Sequence, residues 1–289
     1  MKVAYIVGLG RSGSTLLDLM LNAHSRTTTV GEVKKLKSYA SAKRKVRRKQ
    51  RGHLTSGNRC TCQAETIWQC EFWSQVNRIL EEKHGMNLLD LNIQSKDEER
   101  FRHDNKVLFQ ALGEASGAEV VVDSSKSLQR LLRLRNIPDL EVYPVHVVRN
   151  PWGRSNSVRK DRSRIYTAAI HYSYDSIRTY MSLVAKPHTM IRYEELVSRP
   201  RQELQRLMQY MGLEFEEGQL DWGNQESHNI AGNRMRRGQD STLKLDNSWR
   251  DELSSMQKAG IYLLSAPGRL INYLPRGKQS YAHVETNNS

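Results

Sequence analysis

The amino-terminal segment constrains the fold of this chain more than any other part of it. An apolar run, Lys2–Val7, leads into the glycine-rich stretch GLGRSGST, and STLLDLMLN, Ser14–Asn22, places apolar residues at helical spacing. The pattern predicts a strand, a tight turn and a helix. Turns of this kind let backbone N–H groups approach a phosphate, and the amino end of the following helix adds positive potential. The segment therefore predicts an anion-binding loop in an α/β fold.

The same alternation of strand and helix returns along the chain. The segments AEVVVD (118–123), LEVYPVHVV (140–148) and HTMIRY (188–193) are each typical of a strand, and a helix is predicted over 198–211. Such alternation favours an α/β fold, in which helices flank a central, mainly parallel β-sheet and ligands lie beyond the carboxyl ends of the strands. We predict a single domain over 1–289, with a basic and cysteine-containing insertion at about 34–112.

The glycine spacing of the first loop fits two phosphate-binding patterns. Three glycines spell the dinucleotide-binding G-x-G-x-x-G, and Glu32 lies about where a ribose-binding acid belongs. The same residues spell the G-x-x-x-x-G of nucleotide triphosphatases, but Ser14 stands in the place of the lysine. Arg11 is instead the cation of this loop. A short phosphate that carries a transferable group suits such a site.

With these residues the chain resembles the sulfotransferases that use 3′-phosphoadenosine 5′-phosphosulfate (PAPS). GLGRSGST resembles the turn that binds the 5′-phosphosulfate in that family. VHVVRNPWGRSNS supplies Arg149 after a strand, Pro151 where a helix is predicted to begin, and Ser157 eight residues after the arginine. Arg149 and Ser157 resemble the pair that binds the 3′-phosphate in the family. Arginine offers a planar, two-pronged donor to phosphate, and serine adds a hydroxyl. The segments at 121–126, 192–196 and 228–236 are similar to a bacterial branch of the family.

The resemblance implies a three-layer, P-loop-like α/β fold with a central, mainly parallel β-sheet flanked by helices. It also implies an enzyme that transfers a sulfuryl group from PAPS to a hydroxyl or amine of a glycan, lipid or small metabolite. Such a transfer needs a base for the acceptor proton and cations for the departing phosphate, and it requires no metal. Three groups are candidates for the base: Glu32, where the family often places a carboxylate, His24, because imidazole is a common general base, and Asp123. Arg11 is predicted to stabilise the departing phosphate. Lys126 either faces the same pocket or caps a helix.

The residues predicted to bind the donor come from three segments. They are Gly10, Arg11, Ser12, Gly13, Ser14 and Thr15 in the first loop, then Arg149 and Ser157, then Arg234, Arg236 and Arg237. The last three belong to GNRMRRG, which resembles the loop that closes over the nucleotide in the family. The resemblance predicts that at least one of them touches the 3′-phosphate.

The charge balance favours anionic partners. Lysine and arginine outnumber aspartate and glutamate by 45 to 31, for a formal net charge of +14. The basic run at 43–51 is either a solvated helix face or, as we favour, a lid that attracts an anionic acceptor; it lacks the interleaved aromatic residues of a nucleic-acid site, so no nucleic-acid partner is expected. Two alternative functions stay open: a kinase or related phosphotransferase with a degenerate P-loop, and a basic nucleic-acid-binding protein.

Three cysteines lie close together in the sequence. Cys60, Cys62 and Cys70 do not resemble a secreted disulfide framework, which predicts a reducing, cytoplasmic compartment. With His53 they offer zinc-ligand side chains, but the spacing is poor for a standard knuckle, so packed or redox-sensitive thiols are favoured and no metal is predicted. A strand is predicted at the start of the chain, so no signal peptide is expected. No apolar run approaches the length of about 20 residues that a membrane span needs, so no membrane span is expected.

A stripe of large apolar residues recurs at helical spacing in the second half of the chain. Its members are Tyr166, Ile170, Tyr174 and Ile177. Such a stripe favours a helix face packed into the core over a substrate platform. No chemistry is predicted for it.

Overall fold

The structure, a computed structural model, describes residues 1–41, 48–50, 53–55, 60–162, 164–232 and 241–273. Side chains are described throughout these ranges except at 48–50, 53–55 and 160–162. The strands are β1 (Lys2–Val7), β2 (Thr27–Thr29), β3 (Arg48–Gln50), β4 (His53–Thr55), β5 (Val120–Lys126), β6 (Glu141–Val148) and β7 (Thr189–Arg192). All but β3 and β4, which pair antiparallel, belong to a mainly parallel sheet of five strands flanked by helices, which confirms the predicted α/β fold.

Twelve α-helices lie in the described ranges. They are α1 (Ser14–Asn22), α2 (Leu36–Ala40), α3 (Glu71–His84), α4 (Glu98–Ser116), α5 (Leu128–Leu134), α6 (Pro151–Arg162), α7 (Ile165–Leu183), α8 (Tyr193–Ser198), α9 (Pro200–Tyr210), α10 (Trp249–Glu252), α11 (Ser255–Leu264) and α12 (Ala266–Tyr273). The chain divides into two compact units. The first unit comprises Met1–Val7, Ser14–Tyr143 and Phe215–Thr242, and the second comprises Gly8–Gly13, Pro144–Glu214 and the described residues from Leu243 onward.

The first unit contains three parallel strands in the order β2-β5-β1. Residues 120–122 of β5 are all valine and fully buried, because both neighbouring strands and helices α1 and α4 cover this strand. In register, Val7 at the carboxyl end of β1 pairs with Lys126 at the carboxyl end of β5. The predicted insertion lies within this unit and supplies α2, β3, β4, α3 and α4.

The second unit contains the parallel pair β6 and β7, in which Val148 pairs with Arg192 at the carboxyl ends. The helix predicted over 198–211 is α9, and a break separates it from α8, a short preceding helix that was not predicted. The break falls at Arg199, because the proline that follows disfavours helical backbone at the preceding residue and then occupies the first turn of α9.

The predicted core position of the apolar stripe on α7 is wrong. Tyr166, Ile170, Tyr174 and Ile177 are exposed. The buried face of α7 instead consists largely of small and hydroxyl side chains, among them Ala168, Ala169, Ser173 and Ser176. Small residues let α11 and α12 approach α7 closely. Helix α7 therefore packs through its face of small residues and not through the more hydrophobic stripe.

None of the helices in the described ranges has both the length and the apolar character needed to span a membrane.

Candidate active site

The loop Gly8–Gly13 follows β1 and depends on two of its glycines. Gly8 has a φ of +132°, and a Cβ there would lie 2.4 Å from the carbonyl oxygen of Val147. Gly13 has a φ of +90°, and a Cβ there would lie 2.6 Å from Cδ2 of Tyr193. At Gly10 the backbone is not left-handed, and a Cβ would meet no described atom within 4 Å. The loop geometry therefore requires Gly8 and Gly13 but not Gly10.

A pair of matched substitutions tests this difference. We expect Gly8→Ala to lower the Tm by about 5 °C or more, because it adds backbone strain and a clash with the Val147 carbonyl. Gly10→Ala is expected to leave the Tm within about 2 °C of the parent protein, because the added methyl group meets open space. Calorimetric unfolding of the two variants measures both effects. Equal losses would contradict this account of the loop.

The remaining loop residues place one cation and several hydroxyls around the turn. Arg11 has a φ of +72°, a conformation that costs energy for a non-glycine residue and clusters at functional sites, and its side chain reaches the surface. Ser12 is buried, and Ser14, also buried, begins α1. Thr15 is half-buried in the first turn of that helix. Each of these predicted donor contacts thus lies in the turn or the first turn of helix.

Arg149 follows the last residue of β6, and its guanidinium lies against the loop. The residue is only 6% exposed, and its Nη1 lies 3.4 Å from the carbonyl oxygen of Arg11. Its Nη2 donates to the carboxylate of Asp246 at 2.8 Å, and the guanidinium lies 4.6 Å from the ring centre of Tyr193. Its buried Nε has no hydrogen-bond partner among the described residues. A buried arginine is therefore held beside the glycine-rich turn.

Helix α6 begins at Pro151, two residues after this arginine, as the sequence predicts. Asn150 caps the helix, because its Oδ1 accepts from the N–H of Gly153 at 2.7 Å. Glu194 fixes the cap by accepting from both the backbone and the side-chain N–H groups of Asn150. Ser157 lies further along α6, in its second turn, and is half-buried.

Glu32 and Lys126 lie together at the carboxyl edge of the strands of the first unit. Oε1 of Glu32 lies 3.0 Å from Nζ of Lys126, and Oε2 lies 2.7 Å from Nζ of Lys35. Lys126 is the last residue of β5 and pairs in register with Val7, the residue before the glycine-rich loop. It does not cap a helix, because Ser127 performs that role for α5. Of the two interpretations of Lys126, helix capping is wrong, and the side chain pairs with Glu32 instead.

The environment of Glu32 keeps its carboxylate ionised. Burial alone would raise the pKa of Glu32, but the charges and hydrogen bonds of Lys126 and Lys35 outweigh it and hold that pKa below its ordinary value. The backbone N–H of Glu32 donates to the carbonyl of Ile230 at 2.9 Å. Gly31 makes this approach possible, since a Cβ there would lie 2.2 Å from the same carbonyl oxygen. Lys35 was not predicted from the sequence, although its i,i+3 spacing from Glu32 is a signal.

The two other candidate bases occupy different surroundings. The carboxylate of Asp123 is fully buried, lies 3.3 Å from Nε of Arg130 and accepts from the N–H of Ser125, so it is already engaged in a structural pair. His24 precedes β2, whereas Glu32 follows that strand. The structure therefore places His24 at the amino edge of the strands, away from Glu32 and Lys126.

His24 is itself held in place at that edge. It is buried, its Nδ1 accepts from the N–H of Arg26 at 3.0 Å, and its Nε2 lies 3.5 Å from the carboxylate of Glu216. The other predicted residues, Arg234, Arg236 and Arg237, lie outside the described residues, as do the side chains of the basic run at 43–51.

Comparison with known protein families matches most of the chain. A model described as the Sulfotransferase family covers residues 4–217. The chain belongs to the sulfotransferase family. A search among curated proteins finds no match for this sulfotransferase.

Two solved structures resemble this sulfotransferase over nearly its whole length. The sulfotransferase domain from the olefin synthase of Synechococcus PCC 7002 is 17% identical, with a TM-score of 0.52 over 92% of this chain and 94% of that one. The sulfotransferase domain from the curacin biosynthetic pathway is also 17% identical, with a TM-score of 0.51 over 95% of this chain and 99% of that one. At these identities the likeness shows the fold, and it confirms the P-loop-like sulfotransferase fold expected from the sequence.

Proposed function

We propose that this sulfotransferase uses PAPS as its donor and transfers the sulfuryl group to a hydroxyl or amine of a glycan, lipid or small metabolite. One observation carries the proposal: the guanidinium of Arg149 lies against the Gly8–Gly13 loop, with Nη1 3.4 Å from the Arg11 carbonyl oxygen. PAPS presents a 5′-phosphosulfate and a 3′-phosphate within one small molecule. Two neighbouring anion sites, one a glycine-rich turn and one a buried arginine, suit such a ligand.

The residues of this site fit the donor. The absence of a Cβ at Gly8 and Gly13 keeps the turn tight, so that its N–H groups are available to a phosphate. The buried Nε of Arg149, which has no described hydrogen-bond partner, is a donor suited to an anion. Arg11 and the hydroxyls of Ser14 and Thr15 would hold the 5′-phosphate, and Arg149 and Ser157 the 3′-phosphate.

The proposed chemistry assigns a task to each charged group. When bound, PAPS supplies a sulfuryl group joined to a good leaving group, the 5′-phosphate. Glu32 takes the proton of the acceptor while the acceptor atom bonds to sulfur and the bond from sulfur to the phosphate oxygen breaks. Lys126 and Lys35 keep Glu32 ionised, so it enters the reaction ready to accept that proton. Arg11 stabilises the negative charge that builds on the phosphate.

An anionic acceptor agrees with the net charge of +14. We propose that the basic run at 43–51 attracts it. Charge reversal across this run should raise the KM for an anionic acceptor and leave the donor affinity unchanged. Equal losses of acceptor and donor binding would show that the run does not serve the acceptor.

Calorimetric titration with 3′,5′-adenosine bisphosphate, the desulfated product, tests the donor. We expect tight binding without magnesium, and much weaker binding of ATP with magnesium. A preference for ATP with magnesium would favour the phosphotransferase alternative instead. Binding to nucleic acid that falls steeply with salt, without affinity for the bisphosphate, would favour the nucleic-acid-binding alternative.

Asp246 is expected to weaken donor binding. Burial would raise its pKa, but hydrogen bonds from Ser248 and Arg149 outweigh burial and lower that pKa to about 2, so Asp246 is ionised near neutrality. A phosphate at Arg149 must share the guanidinium with this carboxylate. We therefore expect Asp246→Asn to bind the bisphosphate about threefold to tenfold more tightly at low salt, with a smaller gain at high salt. Weaker binding by this variant would show that Asp246 positions Arg149 for the phosphate.

A further inference from the structure

Four side chains with metal-ligand chemistry lie together in the first unit, apart from the residues to which the transfer is assigned. Cys60, Cys62, Cys70 and His228 bring three sulfur atoms and one imidazole nitrogen within 4.8 Å of one another. Cys60 and Cys70 are buried, and the other two residues are half-buried. The histidine is 158 residues from Cys70 in the sequence, whereas the side chain of His53, the partner suggested by sequence proximity, lies outside the described residues.

We propose that these four residues bind one zinc ion as a structural Cys₃His site. Zinc in such sites is tetrahedral, with Zn–S near 2.3 Å and Zn–N near 2.0–2.1 Å, which sets ligand-to-ligand distances of about 3.5–3.8 Å. Sγ of Cys70 already lies 3.3 Å from Nδ1 of His228, and the widest separation in the cluster is 4.8 Å. The cluster thus closes around an ion with shifts of about 1 Å.

The backbone fixes the two halves of the cluster to each other. Thr61, between the first two cysteines, donates from its hydroxyl to the carbonyl of Ser227 and accepts from the N–H of Asn229 at 2.8 Å. Its own N–H donates to the carbonyl of Asn229 at 3.3 Å. These bonds grip the residues on both sides of His228. The imidazole therefore stays beside the cysteine turn through contacts that do not involve the ligand atoms.

The sulfur atoms lie in a setting suited to metal-bound thiolates. Each sulfur accepts a hydrogen bond from a backbone N–H group: Cys60 from Cys62, Cys62 from Ala64, and Cys70 from Trp73. Such bonds spread the negative charge of a thiolate and orient it toward a metal. Gln63 has a φ of +69°, and its N–H donates to the carbonyl of Cys60 at 3.2 Å, which closes a tight turn around the first two sulfurs.

The orientation of His228 is also fixed by its neighbours. Its ring stacks on Phe72 with centroids 5.0 Å apart, and its carbonyl accepts from Nε1 of Trp73 at 2.9 Å. Nδ1 faces the sulfur of Cys70, while Nε2 lies 3.9 Å from the carboxylate of Glu226. A carboxylate beyond the second ring nitrogen is the usual outer partner of a metal-bound histidine. Packing of the three thiols in a core would not by itself account for an imidazole oriented in this way.

The site would brace the backbone near Glu32. Two residues after His228, Ile230 accepts from the N–H of Glu32 at 2.9 Å and donates to the carbonyl of Val30 at 3.1 Å. An ion that ties His228 to the cysteines holds this short bridge in place. The proposal stands independently of the donor and the acceptor, because it concerns the stability of the first unit and assigns the ion no part in the transfer.

Metal content of the full chain, purified under reducing conditions, is the first test. Elemental analysis is expected to find about one zinc per chain, falling below about one tenth in Cys60→Ser, Cys70→Ser and His228→Ala. His84→Ala is the matched control, because His84 is exposed at the end of α3, the helix that follows Cys70, and this variant is expected to keep its zinc. No zinc in the parent protein, even after reconstitution with zinc salts, would overturn the proposal, and so would bound iron.

Cobalt substitution keeps the test independent of whether a variant folds. The parent protein loaded with Co²⁺ is expected to show the thiolate-to-metal charge-transfer bands of a tetrahedral thiolate site, and their absence would overturn the assignment. Thiol titration of protein prepared without reductant separates metal from oxidation. Three free thiols after chelation and denaturation agree with the zinc site, whereas a single free thiol would reveal a disulfide instead. Chelation is also expected to lower the Tm and to speed exchange of the Glu32 N–H.

Discussion

Arg149→Ala is expected to weaken binding of 3′,5′-adenosine bisphosphate at least about 100-fold. Truncating one member of a buried, hydrogen-bonded charge pair costs about 2–5 kcal/mol, and the 3′-phosphate would lose both the charge and the planar donor of the guanidinium. Arg149→Lys keeps the charge but not the planar pair of donors, so an intermediate loss of affinity is expected. Titration calorimetry measures all three proteins. Wild-type affinity in Arg149→Ala would refute the proposed 3′-phosphate site.

The matched control for this experiment is Arg159→Ala. Arg159 also lies on α6, and its Nη2 pairs with Glu252 at 3.1 Å on the partly exposed side of the helix. We expect its affinity for the bisphosphate to stay within about twofold of the parent, because exposed pairs contribute little. Arg149→Ala should still fold, since Asp246, with 44% of its side chain exposed, returns to water when its partner is removed. Unfolding curves of both variants check this point.

Local sequence patterns predicted the elements that carry the site. The strand endings at Val7 and Val148 follow from β-branched runs, and the helix starting at Pro151 follows from the preference of proline for a first helical turn. The order of strands in the first unit then brings Lys126 beside Val7, the last residue of β1. These features depend on neighbours in the sequence or on the geometry of parallel sheets, so sequence patterns alone can indicate them.

The missed features depend on contacts between distant segments. Asp246 meets Arg149 across 97 residues, and His228 meets Cys70 across 158 residues, and no periodicity or spacing reports such pairs. The prediction that the apolar stripe on α7 lies in the core was wrong for a different reason. Helix packing selected a face of small residues such as Ala169, so the large apolar residues that dominate the pattern remain exposed.

Glu32→Gln is expected to reduce the rate of sulfuryl transfer about 10²- to 10⁴-fold, because the amide cannot accept the acceptor proton. Affinity for the bisphosphate should stay within about threefold, since Glu32 is assigned to the acceptor. The measurement is single-turnover transfer of radiolabelled sulfate from PAPS to a panel of hydroxyl and amine acceptors. Glu119→Gln is the matched control: Glu119 also pairs with a lysine, Lys2, but lies just before β5 at the amino edge of the strands, so its loss should leave the rate unchanged.

The pH dependence of transfer identifies Glu32 independently of its removal. The ionised carboxylate is the active form, so the rate should fall as the pH drops through the pKa of Glu32, which its lysine partners hold below the ordinary value of 4.5. Lys35→Gln removes one of these partners, which lies 2.7 Å from Oε2. The pKa of Glu32 then rises, and the acid limb of the rate profile should move to higher pH while the rate at neutral pH persists. A limb that stays in place in Lys35→Gln would assign the proton transfer to a group other than Glu32, because no other candidate base pairs with this lysine among the described residues.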